Sequence, residues 1–156
     1  MAEGDAEKGE GAIMISLTQR DVLEAVAEHL RSLWPDKAVY ANEIPQHVDG
    51  SFFVHVVEAG YTKLLDRRRE IDMMLDVSYF LASNDSFSYH DWQDEFMRSI
   101  RLLKIKGVRV HCRNIRADLH DRIAHVTFGI RVQVLEPEPE EEAMTELDVR
   151  FEKGGG

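Results

Sequence analysis

The sequence has almost no cysteine, few prolines and no long apolar run. Cys112 is the single cysteine among 156 residues, so an internal disulfide is excluded and a reducing compartment is favoured. No stretch approaches the ~20 apolar residues that a membrane-spanning helix needs. Residues 1–11 lack the basic and apolar regions of a signal peptide. We therefore expect a protein of the cytosol that is neither secreted nor embedded in a membrane.

Motifs for catalysis and cofactor binding are also lacking. The sequence contains no Gly-x-Ser-x-Gly turn, no glycine-rich phosphate loop and no dinucleotide-binding fingerprint. Asp72 and Asp76 fall on one face of a predicted strand, and the solvent-facing side of an amphipathic strand explains them better than a catalytic carboxylate pair does. The sequence predicts no enzyme and no cofactor.

A metal site is not predicted either. Three histidines lie near the single cysteine, but no pair has the spacing of a structural zinc site. Neighbouring residues on a strand point to opposite faces, so His111 and Cys112 do not converge. We interpret the group as surface histidines and one core cysteine. Its members are His111, Cys112, His120 and His125.

What the sequence does have is acidic ends around a nearly neutral middle. The net charge is −10. Residues 1–11 carry four acids and one lysine, and residues 136–156 carry eight acids against two cations, which leaves residues 12–135 close to neutral. We predict a disordered acidic N-terminus over 1–12, one folded domain over 13–136, and an acidic C-terminal tail over 137–156 with a short edge strand at 144–151.

Hydrophobic periodicity predicts two helices. Residues 18–33 repeat apolar side chains at helical spacing, and Pro35 ends that segment. Ser16 and Thr18 are both candidate N-caps. A second helix is expected over 89–104, with Gly107 as its C-terminal cap.

Alternating patterns predict the strands. They are expected at 39–41, at 52–57 with apolar residues on both faces, and at 69–81, where Asp72, Asp76 and Ser78 face solvent. Two more are expected, one beginning at Val108 and one over 124–134, with a turn at 118–121. The order is helix, three strands, helix, two strands. It predicts an α+β two-layer sandwich, with two helices packed on one face of a mainly antiparallel sheet of four to five strands.

Two clusters of basic residues have two readings each. Seven cations and no acid lie between Arg98 and Arg116, with Arg109 and Arg113 expected on one strand face. They form either a solvated face or an electropositive surface for an acidic partner or nucleic acid. A second cluster, Lys63 and Arg67 to Arg69, lies at a predicted hairpin tip and is either an ordinary charged turn or an arm that reaches another subunit.

The order of motifs between Tyr40 and Phe80 resembles a known family. The segment Glu43-Ile44-Pro45-Gln46 precedes a turn and the strand Ser51-Phe52-Phe53-Val54, and a long hairpin then ends in Tyr79-Phe80. This order resembles the small phage tail terminator proteins of phages and prophages of Gram-positive bacteria, over roughly Leu17 to Leu135. The chain departs from them at His47, where the family often has glycine, and at Gly50, where it often has proline.

The resemblance implies a structural protein that forms a ring, expected to be a hexamer. The ring would cap the tail tube, stop its polymerisation and offer a docking surface to the head or neck. Implied partners are other copies of the chain, the tube protein, and sheath or connector proteins, with DNA only passing through the lumen. The implied place is the virion tail, assembled in the bacterial host cytoplasm. A head-tail connector or completion protein and a nucleic-acid-binding module using residues 98–116 remain alternatives.

The resemblance also selects the residues expected at interfaces. Those at subunit or tube interfaces are Glu43, Gln46 and His47 in the loop, with Lys63, Arg67, Arg68 and Arg69 at the hairpin. Arg109 and Arg113 are expected to line the lumen or to face an acidic partner.

Overall fold

The computed structural model describes residues 16–41, 49–81 and 85–136. These residues form an α+β structure with a five-stranded mixed sheet and a two-stranded sheet, which confirms the predicted fold class. The helices are α1 (Gln19–Leu33) and α2 (Ser86–Ser99). The strands are β1 (Val39–Tyr40), β2 (Ser51–Lys63), β3 (Arg68–Phe80), β4 (Leu102–Ile105), β5 (Val108–His111), β6 (Arg113–His120) and β7 (Ile123–Leu135).

Helix α1 begins at a capping box. The Thr18 hydroxyl accepts a hydrogen bond from the Asp21 amide at 3.1 Å, and the Asp21 carboxylate accepts one from the Thr18 amide at 2.9 Å. Both bonds satisfy backbone donors that the first helical turn leaves free. Of the two predicted caps, Thr18 is therefore the one used. Neither helix within the described ranges is long and apolar enough to cross a membrane.

The large sheet has the strand order β1-β2-β3-β7-β6. Strand β3 is central, and it pairs with β7 through thirteen consecutive residues, from Arg68 opposite Leu135 to Phe80 opposite Ile123. Only the short β1–β2 pairing is parallel, with Val39 opposite Phe52. Beyond Phe53, β2 has no strand on its outer edge among the described residues, and the outer edge of β6 is likewise open there.

The core lies between the helices and one face of the large sheet. The Trp92 ring of α2 lies 5.6 Å from Phe52 and 5.0 Å from Tyr79, centroid to centroid. Trp34, just after α1, contacts Phe52 at 5.5 Å. The buried Gln93 side chain donates hydrogen bonds to backbone carbonyls of β6 and β7, so α2 is also fixed to the sheet by polar contacts.

Two predicted boundaries are wrong. Helix α2 ends at Ser99 instead of Lys104, because residues 102–111 form the β4–β5 hairpin. Lys106 and Gly107 both have positive φ, so they make the hairpin turn, and Gly107 does not cap a helix. The expected turn at 118–121 belongs largely to the extra strand β6, and the chain reverses at Asp121 and Arg122, again with positive φ.

Strand β2 also differs from its prediction. It extends to Lys63 instead of ending at Val57, and its second face is only partly covered, with Val57 half exposed. Together with the start of β3 it forms an arm, defined here as residues 58–73, whose tip turns at 64–67.

Candidate interface surfaces

The arm carries exposed apolar side chains at and near its tip. Leu65 is 80% exposed and Tyr61 is 58% exposed, although both are large hydrophobic residues. A bulge between Val56 and Glu58 shifts the β2–β3 register where the arm begins. Single exposed hydrophobic residues are common, but two close to one hairpin tip form a surface suited to contact with another protein.

The four predicted arm cations have different environments. The Arg69 guanidinium lies over the Tyr61 ring at 4.7 Å and donates a hydrogen bond to its hydroxyl, and its Nε forms a 3.2 Å ion pair with Glu136. Arg67 exchanges backbone and side-chain hydrogen bonds with Glu136. These two residues therefore hold the end of β7 against the arm.

The other two arm cations are more available to a partner. Among the described residues, the Arg68 side chain forms one ion pair, at 3.9 Å with the exposed Asp66. Lys63 is exposed and forms no ion pair within the described residues. The predicted loop residues Glu43, Gln46 and His47 lie outside the described residues.

The predicted strand face shared by Arg109 and Arg113 does not exist. Arg109 lies on β5 in the small sheet, and Arg113 lies on β6 in the large sheet, because the chain changes sheets at Cys112. Arg113 lines a shallow cleft with Glu58 and Asp72 at the base of the arm.

Arg109 belongs instead to a basic surface around the β4–β5 hairpin. Lys104 and Arg109 are directly opposite each other on the two strands, and both are exposed. Next to them, Arg98 and Arg101 at the end of α2 line a groove of about 420 Å³ with Leu102 and His111. We call these residues the cationic hairpin face: Arg98, Arg101, Leu102, Lys104, Arg109 and His111.

A polar row, which the sequence pattern alone does not indicate, crosses the other face of the large sheet. His55 of β2 lies opposite Asp76 of β3, and His125 of β7 lies opposite Asp118 of β6. The Asp76 carboxylate lies 3.1 Å from His125 Nδ1 and 3.7 Å from His55 Nδ1. His120 Nε2 extends the row with a 2.7 Å contact to Asp118. Strand alternation alone predicts which face of its own strand each residue occupies. The pairing of strands that are distant in sequence is what brings the residues of the row side by side.

Asp76 and Ser78 are buried, which corrects the prediction that both face solvent. Ser78 donates a 2.8 Å hydrogen bond to Asp76, and the flanking histidines cover the carboxylate. The hydrogen-bonded Asp76 carboxylate raises the pKa of His125, and partial burial opposes that effect.

The combination of Ser78, His125 and Asp76 is not a catalytic triad. Ser78 and Asp76 both approach the same ring nitrogen, Nδ1 of His125, at 3.1 Å. In a triad the histidine bridges its two partners through opposite nitrogens. The arrangement therefore fixes the histidine in place but does not activate the serine.

The histidines and the cysteine are not gathered into a metal site. No cluster of three or more histidine, cysteine, aspartate or glutamate ligands suited to a metal occurs within the described ranges. Burial raises the pKa of the Cys112 thiol to about 12, so it stays protonated at neutral pH. The cysteine packs against the core, as the sequence predicted.

Comparisons with known proteins point to one family. A family model described as phage tail terminator protein matches residues 21–142. No curated protein matches the chain. One of the solved structures that match is 14% identical, with a TM-score of 0.44 over 80% of this chain and 100% of its own. That structural likeness is too distant to carry an argument.

Proposed function

This chain belongs to the phage tail terminator protein family, and we propose on that premise that it forms a ring, with six copies expected, which caps the tail tube and stops its polymerisation. The family match covers most of the region in which the sequence resembles tail terminators. The family is one of structural proteins, and its members act in the phage tail.

The mechanism of the proposed ring is steric. One ring face matches the last ring of tube subunits, and the opposite face does not template another ring. The opposite face then docks to the head or neck, with sheath or connector proteins as further partners. None of these steps needs a side chain with a special pKa, since contact area and shape determine each of them.

The observation that carries this proposal is the arm with its exposed apolar tip. A ring of identical subunits needs two different surfaces on each copy, one of which fits the other on the next copy. The arm supplies an exposed surface with Tyr61 and Leu65. The edges of β2 and β6, which are open among the described residues, lie on opposite sides of the same sheet. Unpaired strand edges readily take part in association.

Within that ring, we assign Lys63 and Arg68 to contacts with the next subunit. Arg67 and Arg69 act indirectly, because they hold Glu136 and so keep the arm rigid. Glu43, Gln46 and His47 are proposed to contact the tube or the neighbouring subunit. The lumen is proposed to present Arg113 to passing DNA.

Light scattering across protein concentration and at two salt levels tests ring formation. A discrete species of about six times 17.9 kDa is expected. The ring is then added to polymerising tube protein from the same phage, and tube lengths are measured by electron microscopy. Tubes should stop growing and should carry the ring at one end. A chain that stays monomeric and leaves the tube length unchanged would contradict the proposal.

The cationic hairpin face gives one observation in favour of a second function, nucleic-acid binding. Its four Arg and Lys side chains are exposed and close together, although no aromatic side chain is interleaved with them for base stacking. Binding of duplex DNA is measured by fluorescence anisotropy as salt increases. Four phosphate contacts would give a slope of about −3.6 in the logarithm of affinity against the logarithm of salt.

A further inference from the structure

The arginine and lysine side chains of the cationic hairpin face are an unfavourable arrangement, because no acidic side chain among the described residues pairs with them. Lys104 and Arg109 are cross-strand partners, and like charges placed directly opposite each other are destabilising. Among the described residues, neither of them forms an ion pair, and the same holds for Arg98 and Arg101. The nearby Lys106, in contrast, pairs with Asp21 at 3.0 Å. An anionic group that covers this face would relieve the repulsion.

The chain itself contains a segment with the matching charge. Residues 138–148 hold six acids and no lysine or arginine. No other separate stretch of comparable length has this imbalance. Residues 85–95, with four acids and no lysine or arginine, come closest and lie mostly in α2, and residues 1–11 carry four acids and one lysine. Charge complementarity of this kind favours association and directs it to one surface.

The segment starts close enough to reach the face. Strand β5 leads through Cys112 into β6, where Arg113 pairs with Gly129 of β7, and β5 also contacts β7. From Gly129 to Glu136 the chain advances by about 23 Å, at ~3.3 Å per residue in a strand. The twelve residues from 137 to 148 span up to about 40 Å when extended. The segment is therefore long enough to run back along β7 to the level of Gly129 and Arg113, next to which β5 carries the cationic hairpin face.

We propose that the acidic segment 138–148 docks on the cationic hairpin face of its own chain. A segment tethered at this distance has an effective concentration in the millimolar range, far above that of another copy in dilute solution. The docked segment shields the face from other anions and neutralises the repulsion between Lys104 and Arg109. The proposal does not depend on ring formation, because one chain contains both surfaces.

Zero-length crosslinking of the full chain tests the contact. A carbodiimide activates a carboxylate, the Lys104 amine attacks it, and an amide bond forms as the carbodiimide leaves as a urea. Mass spectrometry should find Lys104 joined to an acid of residues 138–148. The yield should fall several-fold when salt is raised from about 50 to about 500 mM, because exposed charge pairs are screened. The control variant Lys104→Arg keeps the charge but has no amine that reacts, so this crosslink should disappear.

A mixture of unlabelled and ¹⁵N-labelled chains separates contact within a chain from contact between chains. Crosslinked peptide pairs should carry one label only. Pairs of mixed label would overturn docking on the same chain. Crosslinks of Lys104 to residues 3–10, or the absence of any salt-sensitive crosslink to it, would overturn the choice of segment 138–148.

The shielding is tested separately with a full-length variant in which Glu138, Glu140, Glu141 and Glu142 are each replaced by glutamine. A fluorescein-labelled DNA duplex serves as the anionic probe. The variant should bind the probe several-fold more tightly than the parent chain at low salt. Equal affinities would overturn the claim that the segment covers this face.

Discussion

At the scale of single residues, the main feature is a buried carboxylate on the less covered face of the sheet. Asp76 is only 5% exposed, and it is held by Ser78 and His125. A buried carboxylate is costly unless its hydrogen bonds are satisfied and a positive charge is close. The protonation of His125 therefore affects the stability of the folded chain.

Stability is expected to depend on pH through His125. Its pKa is raised in the folded state, so its contribution is fully present below the unfolded pKa and is lost as the pH rises through the folded value. The substitution His125→Asn should lower the free energy of unfolding by about 1.5 kcal/mol near pH 5.5, a typical value for a charged hydrogen bond, and by less near pH 8. Urea unfolding at both pH values measures the difference. An equal loss at both would contradict this role.

His29 provides a control, because its contribution to stability should depend on pH in the opposite direction. Burial lowers its pKa, and its ring makes a 2.9 Å hydrogen bond with Ser99. Its contribution is present above the unfolded pKa and is lost as the pH falls. His29→Gln should therefore cost more stability near pH 8 than near pH 5.5, in the same urea experiment.

At the scale of elements, the cap of α1 can be tested alone. Thr18→Ala removes the hydroxyl that accepts from the Asp21 amide, so the free energy of unfolding should fall by about 1 kcal/mol. Thr18→Ser keeps a hydroxyl and should retain most of that stability. Thermal unfolding followed by circular dichroism measures both variants. If the two variants unfold at the same temperature, the cap is not a significant source of stability.

The elements also show how far the sequence alone could predict this structure. Helix α1, strand β3 and strand β7 were predicted well, because their apolar periodicity is long and regular. The end of α2 was missed because Ile100 and Leu103 continue the apolar spacing of the helix. Both are buried in the core, but Ile100 directly follows the helix and Leu103 lies on β4. Gly107 suits a helix cap and a hairpin turn equally well, so its local sequence does not distinguish them.

The candidate surfaces were less predictable than the elements. Lys63 and Arg68 were found as part of a charged hairpin tip, which is a local pattern. The separation of Arg109 from Arg113 depends on a change of sheet at Cys112, which no local pattern shows. The row from His55 to His120 requires four strands in the right register, and register is a property of the folded chain.

At the scale of the whole molecule, the arm is expected to control self-association. Lys63→Glu combined with Arg68→Glu reverses two exposed charges and should raise the dissociation constant of the assembly at least tenfold. Stability should change by less than about 0.5 kcal/mol, because both side chains are on the surface. Light scattering across concentration measures the assembly, and urea unfolding measures the stability.

A matched control reverses two surface charges away from the arm. Arg20→Glu with Arg31→Glu changes the exposed side of α1, where the ion pairs of the two arginines among the described residues are with Glu24 and Glu28. The control should associate like the parent chain. If both double variants lose association equally, net charge and not the arm governs it.

The pairing of β3 with β7 also has a consequence for how the chain folds during synthesis. Strand β3 lies at the centre of the sheet, but its partner β7 begins 43 positions after β3 ends. Contacts of such separation slow folding, because a long loop must close before the contacts that reward it can form. Residues 51–80 therefore leave the ribosome as a β2–β3 hairpin in which one edge of β3 has no hydrogen-bonding partner yet. At a synthesis rate of ~5–20 residues per second, β7 follows several seconds later. During that interval the unpaired edge of β3 is a site at which two nascent chains of this protein can pair.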